Sequence, residues 1–145
     1  MVDVQYLTEE QVKAAADLYI SVFSQEPWNE EYESFEQVET LIRNFMAESC
    51  YLNFAALKNG ELVGLCLGMK KPWINGVEYY IDEFCVKVDF LGKGIGSAFL
   101  AGIEEEISKL GLDGMILNTE KGVPAEEFYL KNGFHQLSNL IVLGK

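Results

Sequence analysis

Apolar residues in the first third of the chain recur every three or four positions, the spacing of one buried helix face. Two Ser/Thr-x-x-Gln segments, residues 8–11 and 34–37, precede these stretches and match the capping box, which satisfies free backbone donors at a helix start. The pattern therefore predicts two amphipathic helices, joined by a short loop that contains Pro27 and Trp28.

In the middle of the chain the apolar period shortens to that of a strand. Residues 51–58 and 61–69 are predicted strands, joined by an Asn-Gly dipeptide at 59–60 that tolerates the positive φ angles of a tight hairpin turn. A second Asn-Gly turn at 75–76 leads into a third strand, residues 77–86. The pattern predicts an antiparallel meander.

The last part of the chain mixes helical and extended patterns. A glycine-rich loop at 91–97 leads into a helix, residues 113–119 predict a strand, residues 125–131 a short helix, and residues 134–143 a closing strand or hairpin. This order predicts an α+β fold with a mixed, mostly antiparallel central sheet flanked by helices. No linker divides the sequence, so residues 1–145 are expected to form a single domain.

The charge balance narrows the range of partners. The chain has 23 acidic and 11 basic residues and a net charge of −12, so it lacks the basic face that nucleic-acid binding requires. A cationic partner fits this negative net charge better.

The longest apolar run, residues 62–69, is too short to cross a membrane, and the N-terminus lacks a signal-peptide pattern. We therefore expect a cytoplasmic protein without a membrane partner.

Cysteine and histidine are too few and too scattered to suggest a metal centre. Cys50, Cys66 and Cys85 form no C-x-x-C pair, and His135 is the only histidine. We expect neither a disulfide framework nor a bound metal.

The loop at 91–97, Leu-Gly-Lys-Gly-Ile-Gly-Ser, stands between a predicted strand and a predicted helix. Glycines let backbone N–H groups converge on an anion, and a helix N-terminus adds free donors. Lys87 and Lys93 place basic charge beside the loop, so a phosphate ligand is expected. The segment lacks the Lys-Ser/Thr ending of a P-loop, and it follows a meander rather than the first βα turn of a dinucleotide fold.

Three motifs, taken in this order, resemble the GNAT superfamily of N-acetyltransferases. The loop is similar to the family's Arg/Gln-x-x-Gly-x-Gly/Ala sequence, and residues 84–86 stand where the family has a bulged strand. Residues 125–134 are similar to its A-x-x-F-Y-x-K-x-G-F signature. Leu91 and Gly122 depart from the family pattern at two cofactor positions.

The resemblance implies transfer of the acetyl group of acetyl-CoA to a primary amine, by direct attack in a ternary complex. Loop amides would hold the CoA pyrophosphate, the strand would pair with the pantetheine arm, and the N–H of Cys85 or Val86 would polarise the acetyl carbonyl. Tyr129 would protonate the departing sulfur. The expected cofactor-binding residues are Phe84, Cys85, Val86, Leu91, Gly92, Lys93, Gly94, Ile95, Gly96, Ser97 and Asn118.

A carboxylate just ahead of the acetyl-binding segment is the candidate base. Glu83 is the first choice because a carboxylate can take the ammonium proton, directly or through water. Asp82 is the second candidate and a candidate substrate contact. Strand alternation puts the two side chains on opposite faces, but a bulge nearby would change that count, so the choice stays open.

The acceptor is expected at the first two helices and their loop, where family members usually select their substrate. Six glutamates and no basic residue lie between positions 26 and 39, together with Trp28, so a small cationic amine is predicted to bind there. Polyamines, aminoglycosides and a peptide N-terminus or lysine are the candidate acceptors.

Two alternatives to acetyl transfer stay open. One is a non-catalytic acyl-CoA-binding module whose acidic face holds a basic protein, and the other is transfer of a longer acyl group. Residues 140–143 are candidates for homodimer contacts.

Overall fold

The computed structural model describes residues 1–145 and contains one five-stranded sheet in the order β1-β2-β3-β4-β5. The first four strands pair antiparallel with their neighbours, and β5 pairs parallel to β4. The predicted mixed, mostly antiparallel sheet is confirmed. The strands are β1 (Asp3–Tyr6), β2 (Tyr51–Lys58), β3 (Glu61–Trp73), β4 (Gly76–Val86) and β5 (Met115–Leu117).

Helices cover both faces of the sheet and enclose two hydrophobic clusters. α1 (Val12–Phe23) and α2 (Phe35–Asn44) pack on one face, and α3 (Ile95–Lys109) and α4 (Pro124–Lys131) pack on the other. Strand alternation divides the sheet between the two clusters: Leu65 belongs to the α1 side and Cys66 to the α3 side. No helix is both long and apolar enough to span a membrane.

The predicted helix starts are confirmed. The Thr8 N–H donates to the Gln11 side chain at 2.9 Å, ahead of a single 3₁₀ turn that leads into α1. Ser34 Oγ accepts from the Gln37 N–H at 3.1 Å at the start of α2. In each case the bond satisfies a backbone N–H that has no partner within the helix.

A β-bulge interrupts β4 at Asp82. Leu67 faces Glu83 across the sheet, and the next residue of β3, Gly68, faces Ile81, so Asp82 has no partner. A Cβ on Gly68 would lie 2.5 Å from the carbonyl oxygen of Tyr80, so only glycine fits there. Because one extra residue is inserted, Ile81 packs on the α3 side whereas Cys85 packs on the α1 side.

Three sequence predictions need correction. β1 was not predicted, and β5 is shorter than the predicted 113–119. Residues 134–143 form no strand, so the predicted closing strand is wrong. A strand-like pattern describes side-chain preference only, and a strand forms only where a neighbour provides hydrogen bonds. The apolar residues at the end of this segment are exposed, from 57% at Leu140 to 82% at Leu143.

Candidate functional site

The β4–β5 pairing ends early and leaves one edge of β4 open. β5 pairs with residues 79–81 only, so residues 82–86 have a neighbour on the β3 side alone. The Lys87 N–H donates to the Val63 carbonyl of β3 at 2.8 Å. N–H directions alternate along a strand, so the N–H of Cys85 also faces β3, whereas those of Phe84 and Val86 face the open edge.

The glycine loop lies directly beyond this edge. Gly92 and Gly94 have φ angles of 76° and 79°, a conformation that favours glycine, although a Cβ at either position would contact nothing. Several N–H groups at the start of α3 donate no hydrogen bond within the protein, so they can serve an anion. These are the N–H groups of Gly92, Gly94, Ile95, Gly96 and Ser97.

Aromatic packing joins the three motifs in space. The Phe84 ring lies 5.8 Å from Phe128 and 6.2 Å from Tyr129, measured between ring centroids. A Cβ on Gly96 would lie 2.9 Å from the Phe128 ring, so this glycine lets α4 approach the start of α3. The strand, the loop and α4 therefore form one unit.

The positive charge beside the loop comes from a different pair of lysines than predicted. Lys87 forms an ion pair with Glu61, so it is not free for a ligand as the sequence suggested. Lys93 and Lys58 both place Nζ 5.6 Å from the centroid of the Phe90 ring. Strand pairing, and not sequence proximity, brings Lys58 of β2 to the loop.

The bulge gives the two candidate carboxylates different surroundings. Asp82 is exposed, whereas Glu83 is half-buried on the α1 side and accepts a hydrogen bond from the Tyr19 hydroxyl at 3.3 Å. Burial raises the pKa of Glu83 to about 7; the Tyr19 hydrogen bond opposes this, and the charges of Glu30 and Asp82 add to it. Glu83 can therefore gain and lose a proton near neutral pH.

Tyr129 lies on the α3 side within an aromatic cluster. Its ring centroid is 5.3 Å from those of both Phe128 and Phe134. Burial, with smaller contributions from Cys66, Cys85 and Glu83, raises the pKa of Tyr129 well above its usual value. The phenol is therefore protonated at neutral pH and is a proton donor.

Asn118 follows β5 and lies where the two strands separate. Its side-chain N–H donates to the Tyr80 hydroxyl at 2.6 Å. This pair therefore ties the end of β5 to β4, beside the open edge. The N–H of Gly122, one of the two family departures, donates to the Glu126 carboxylate at 3.0 Å.

A second opening lies between α1, α2 and the loop that joins them. This cleft has a volume of about 480 Å³ and contains two carboxylates, Glu30 and Glu31, near two phenols, Tyr19 and Tyr32. The Tyr32 hydroxyl donates to Glu30 at 2.9 Å. The remaining lining residues are Gln37, Val38, Thr40, Leu41 and Asn44.

Most of the predicted acceptor features lie outside the cleft lining, including Trp28 and four of the six glutamates, Glu26, Glu33, Glu36 and Glu39. Trp28 packs edge-on against Phe23, with centroids 5.8 Å apart, and does not line the cleft. Glu39 lies 3.9 Å from Arg43, one helical turn away, so its charge is partly compensated. The cleft is acidic mainly through Glu30 and Glu31.

The sequence reasoning missed three polar residues of this region, Tyr19, Lys58 and Tyr80, whereas Tyr32 was expected among the aromatic residues of the acceptor region. The apolar pattern of α1 assigned Tyr19 to the core, and its ring is indeed buried. Its polar partner lies 64 residues away in sequence, so no local signal points to the bond. For Tyr80 there was one local signal. The polar side chain of Asn118 stands at the end of a strand, which indicates a side-chain partner on a neighbouring strand.

Comparison with known proteins agrees with this geometry. A model of the acetyltransferase (GNAT) family matches residues 12–134. A transcriptional regulator from Bacillus halodurans C-125 superposes over 100% of both chains, with a TM-score of 0.79 at 18% identity.

Two aminoglycoside acetyltransferases are also similar in structure. AAC(6′)-Iy, solved with the bisubstrate analogue CoA-S-monomethyl-acetylneamine, has a TM-score of 0.77 at 13% identity and covers 100% of this chain and 98% of its own. A metagenomic soil enzyme in complex with sisomicin has a TM-score of 0.73 at 16% identity, covering 99% and 97%. At these identities the likeness establishes the fold.

A search of curated proteins gives no significant match. The family model nevertheless covers most of the sequence, including all three motifs of the site. The chain therefore belongs to the GNAT family of acetyltransferases, and it is an acyltransferase enzyme.

Proposed function

We propose that this enzyme transfers the acetyl group of acetyl-CoA to a primary amine of a small cationic acceptor, by direct attack in a ternary complex. The observation that supports this most is the position of Glu83. It lies beside the open edge of β4, and through Tyr19 it is also hydrogen-bonded to the wall of the acidic cleft.

The open edge and the glycine loop fit the two parts of CoA. The free N–H groups from Gly92 to Ser97 would hold the pyrophosphate, with Lys58 and Lys93 adding positive charge nearby. The N–H of Phe84 would pair with the pantetheine arm. Of the two oxyanion donors considered from the sequence, Val86 is the better one, because the Cys85 N–H faces β3.

Glu83 and Tyr129 would move the protons. Glu83 accepts a proton from the acceptor ammonium, which leaves a neutral amine to attack the acetyl carbonyl. Val86 donates its N–H to the oxygen on which negative charge develops. Tyr129 gives its proton to the departing sulfur, and the proton that the new amide nitrogen loses returns to the phenolate through water.

The acidic cleft supports an acceptor with more than one positive charge. Glu30 and Glu31 face a space of about 480 Å³, and no lysine or arginine lines it. Two of the similar structures are aminoglycoside acetyltransferases, whose acceptors carry several amines. Aminoglycosides and polyamines are therefore the first acceptors to test.

The test is release of free thiol from acetyl-CoA across a panel of amines, with mono-, di- and polyamines at equal concentration. We expect Tyr129→Phe to lower kcat about 100-fold, because a proton donor contributes at least that much. Glu30→Gln should raise KM for polyamines but leave KM for monoamines nearly unchanged. Glu104→Gln, an exposed change elsewhere on α3, is the matched control.

Acetyl-CoA binding should be measured in parallel by thermal stabilisation. Stabilisation without thiol release from any amine would contradict the proposal and favour the non-catalytic alternative. The absence of stabilisation would contradict the cofactor assignment itself.

A further inference from the structure

We infer that Tyr19 is a positioning residue: its phenol orients the Glu83 carboxylate at the boundary between the acceptor cleft and β4. This inference rests on the proposed function, in which Glu83 is the base. It concerns a residue of α1 that lies outside all three sequence motifs.

Tyr19 is the side chain that connects the cleft to Glu83. It lines the cleft, whereas Glu83 does not, and its hydroxyl donates to Glu83 Oε1 at 3.3 Å. Its ring is held by neighbours on two sides, with centroids 4.6 Å from Phe23 and 6.1 Å from Tyr32. With only 4% of Tyr19 exposed, the phenol has little freedom to move, so its hydroxyl is a fixed donor.

No other favourable partner holds the Glu83 carboxylate. Glu83 forms no ion pair, and Tyr19 is its only side-chain hydrogen-bond partner. Loss of the phenol would leave a half-buried carboxylate with no side-chain donor, surrounded by groups that disfavour its charge. The titratable groups around Glu83 are Tyr19 on α1, Glu30 and Tyr32 in the following loop, Asp82 and Cys85 on β4, and Tyr129 on α4.

The same cleft contains a matched comparison. Tyr32 and Glu30 form a second phenol–carboxylate pair, with a shorter distance of 2.9 Å, but this pair is far more exposed. Both residues line the cleft, and neither makes a hydrogen bond to Glu83. Comparing variants of the two tyrosines therefore distinguishes orientation of the base from contact with the acceptor.

The experiment is the pH profile of kcat/KM for Tyr19→Phe, which keeps the ring and removes only the donor. We expect the acid limb to move to higher pH by about one unit, because a hydrogen bond to a charged group stabilises the ionised form by about that amount. A purely structural role would lower activity and Tm without moving the limb.

Two further variants make the outcome decisive. Tyr32→Phe should raise the acceptor KM and leave the midpoint of the acid limb in place. Glu83→Gln should abolish the limb. If Glu83→Gln abolishes the limb but Tyr19→Phe leaves its midpoint unchanged, the inference is overturned and the proposed function stands.

If the limb survives in Glu83→Gln, Glu83 is not the base: the inference about Tyr19 fails, whereas acetyl transfer itself, which the surviving activity demonstrates, stands. Should Tyr19→Phe lose activity altogether, the Glu83 carboxyl can be titrated directly by ¹³C NMR in the ligand-free protein. A midpoint equal to that of the wild type would then overturn the inference.

Discussion

Gly96 lies against the ring of Phe128, and a Cβ in its place would come within 2.9 Å of two ring carbons. The start of α3, which contains the amides proposed to bind the CoA pyrophosphate, is thus held against α4. Gly96→Ala should destabilise the protein by about 1 to 3 kcal/mol, as expected for overpacking, and weaken acetyl-CoA binding. Urea unfolding and isothermal titration measure the two effects.

Gly114→Ala is the control for this variant. Its added Cβ would meet only the Glu78 carboxylate at 3.8 Å, an ordinary contact distance. Equal stability losses in the two variants would show that the Phe128 contact is not the cause.

Lys58, rather than the predicted Lys87, adds positive charge beside the glycine loop. This difference predicts which lysines contribute to cofactor binding. Lys58→Ala should weaken acetyl-CoA binding up to about fivefold at low salt, because a solvent-accessible charge contributes at most about 1 kcal/mol. High salt should remove this difference by screening.

Lys87→Ala should have little effect, since its charge is already paired with Glu61. Equal losses for Lys58→Ala and Lys87→Ala in a titration series at several salt concentrations would contradict the assignment.

Glu83 should make the stability of the ligand-free protein depend on pH. Its pKa rises from 4.5 to about 7 on folding, so the folded state favours the protonated form. This contribution is complete below the unfolded pKa and is lost as the pH rises through about 7, with a magnitude of up to about 3 kcal/mol.

The test compares free energies of unfolding for the wild type and Glu83→Gln from acid to neutral pH. The wild type should lose stability relative to Glu83→Gln as the pH rises to neutral, because Gln cannot ionise. A difference between Glu83→Gln and the wild type that stays constant across this pH range would refute the prediction.

The exposed C-terminal segment predicts self-association. Leu140, Ile141, Val142 and Leu143 are mostly exposed, and an apolar run of this kind is usually covered by a partner. We expect a concentration-dependent dimer by analytical ultracentrifugation, and a monomer when Ile141 and Val142 are replaced by lysine. A wild type that remains monomeric at high concentration would exclude a homodimer through this segment.

The sequence predicted best what depends on local pattern. Apolar spacing and capping identified α1 and α2, and the Asn-Gly turns identified the meander, because these signals lie within a few residues of the structure they specify. It did not predict β1, a four-residue strand whose hydrogen-bonding partner, β2, lies far away in sequence. The prediction for residues 134–143 was wrong for the opposite reason: this segment has a strand-like pattern, but no neighbouring strand pairs with it.

The same distinction between local and long-range signals explains which site residues were predicted. The loop glycines were recognised because left-handed backbone conformations require glycine locally. The choice between Glu83 and Asp82 could not be made, since it depends on a bulge that only the register with β3 reveals. Tyr19 and Lys58 were missed because their partners are distant in sequence.

The bulge at Asp82 also determines how much of β4 is available to a ligand. Without Asp82, Ile81 would be followed directly by Glu83, and each side chain after it would stay on its present face, since the inserted residue is the one without a partner. A bulge bends its strand and ends pairing nearby. A one-residue deletion would therefore let β5 continue along β4, giving a more regular sheet with no edge left for acetyl-CoA.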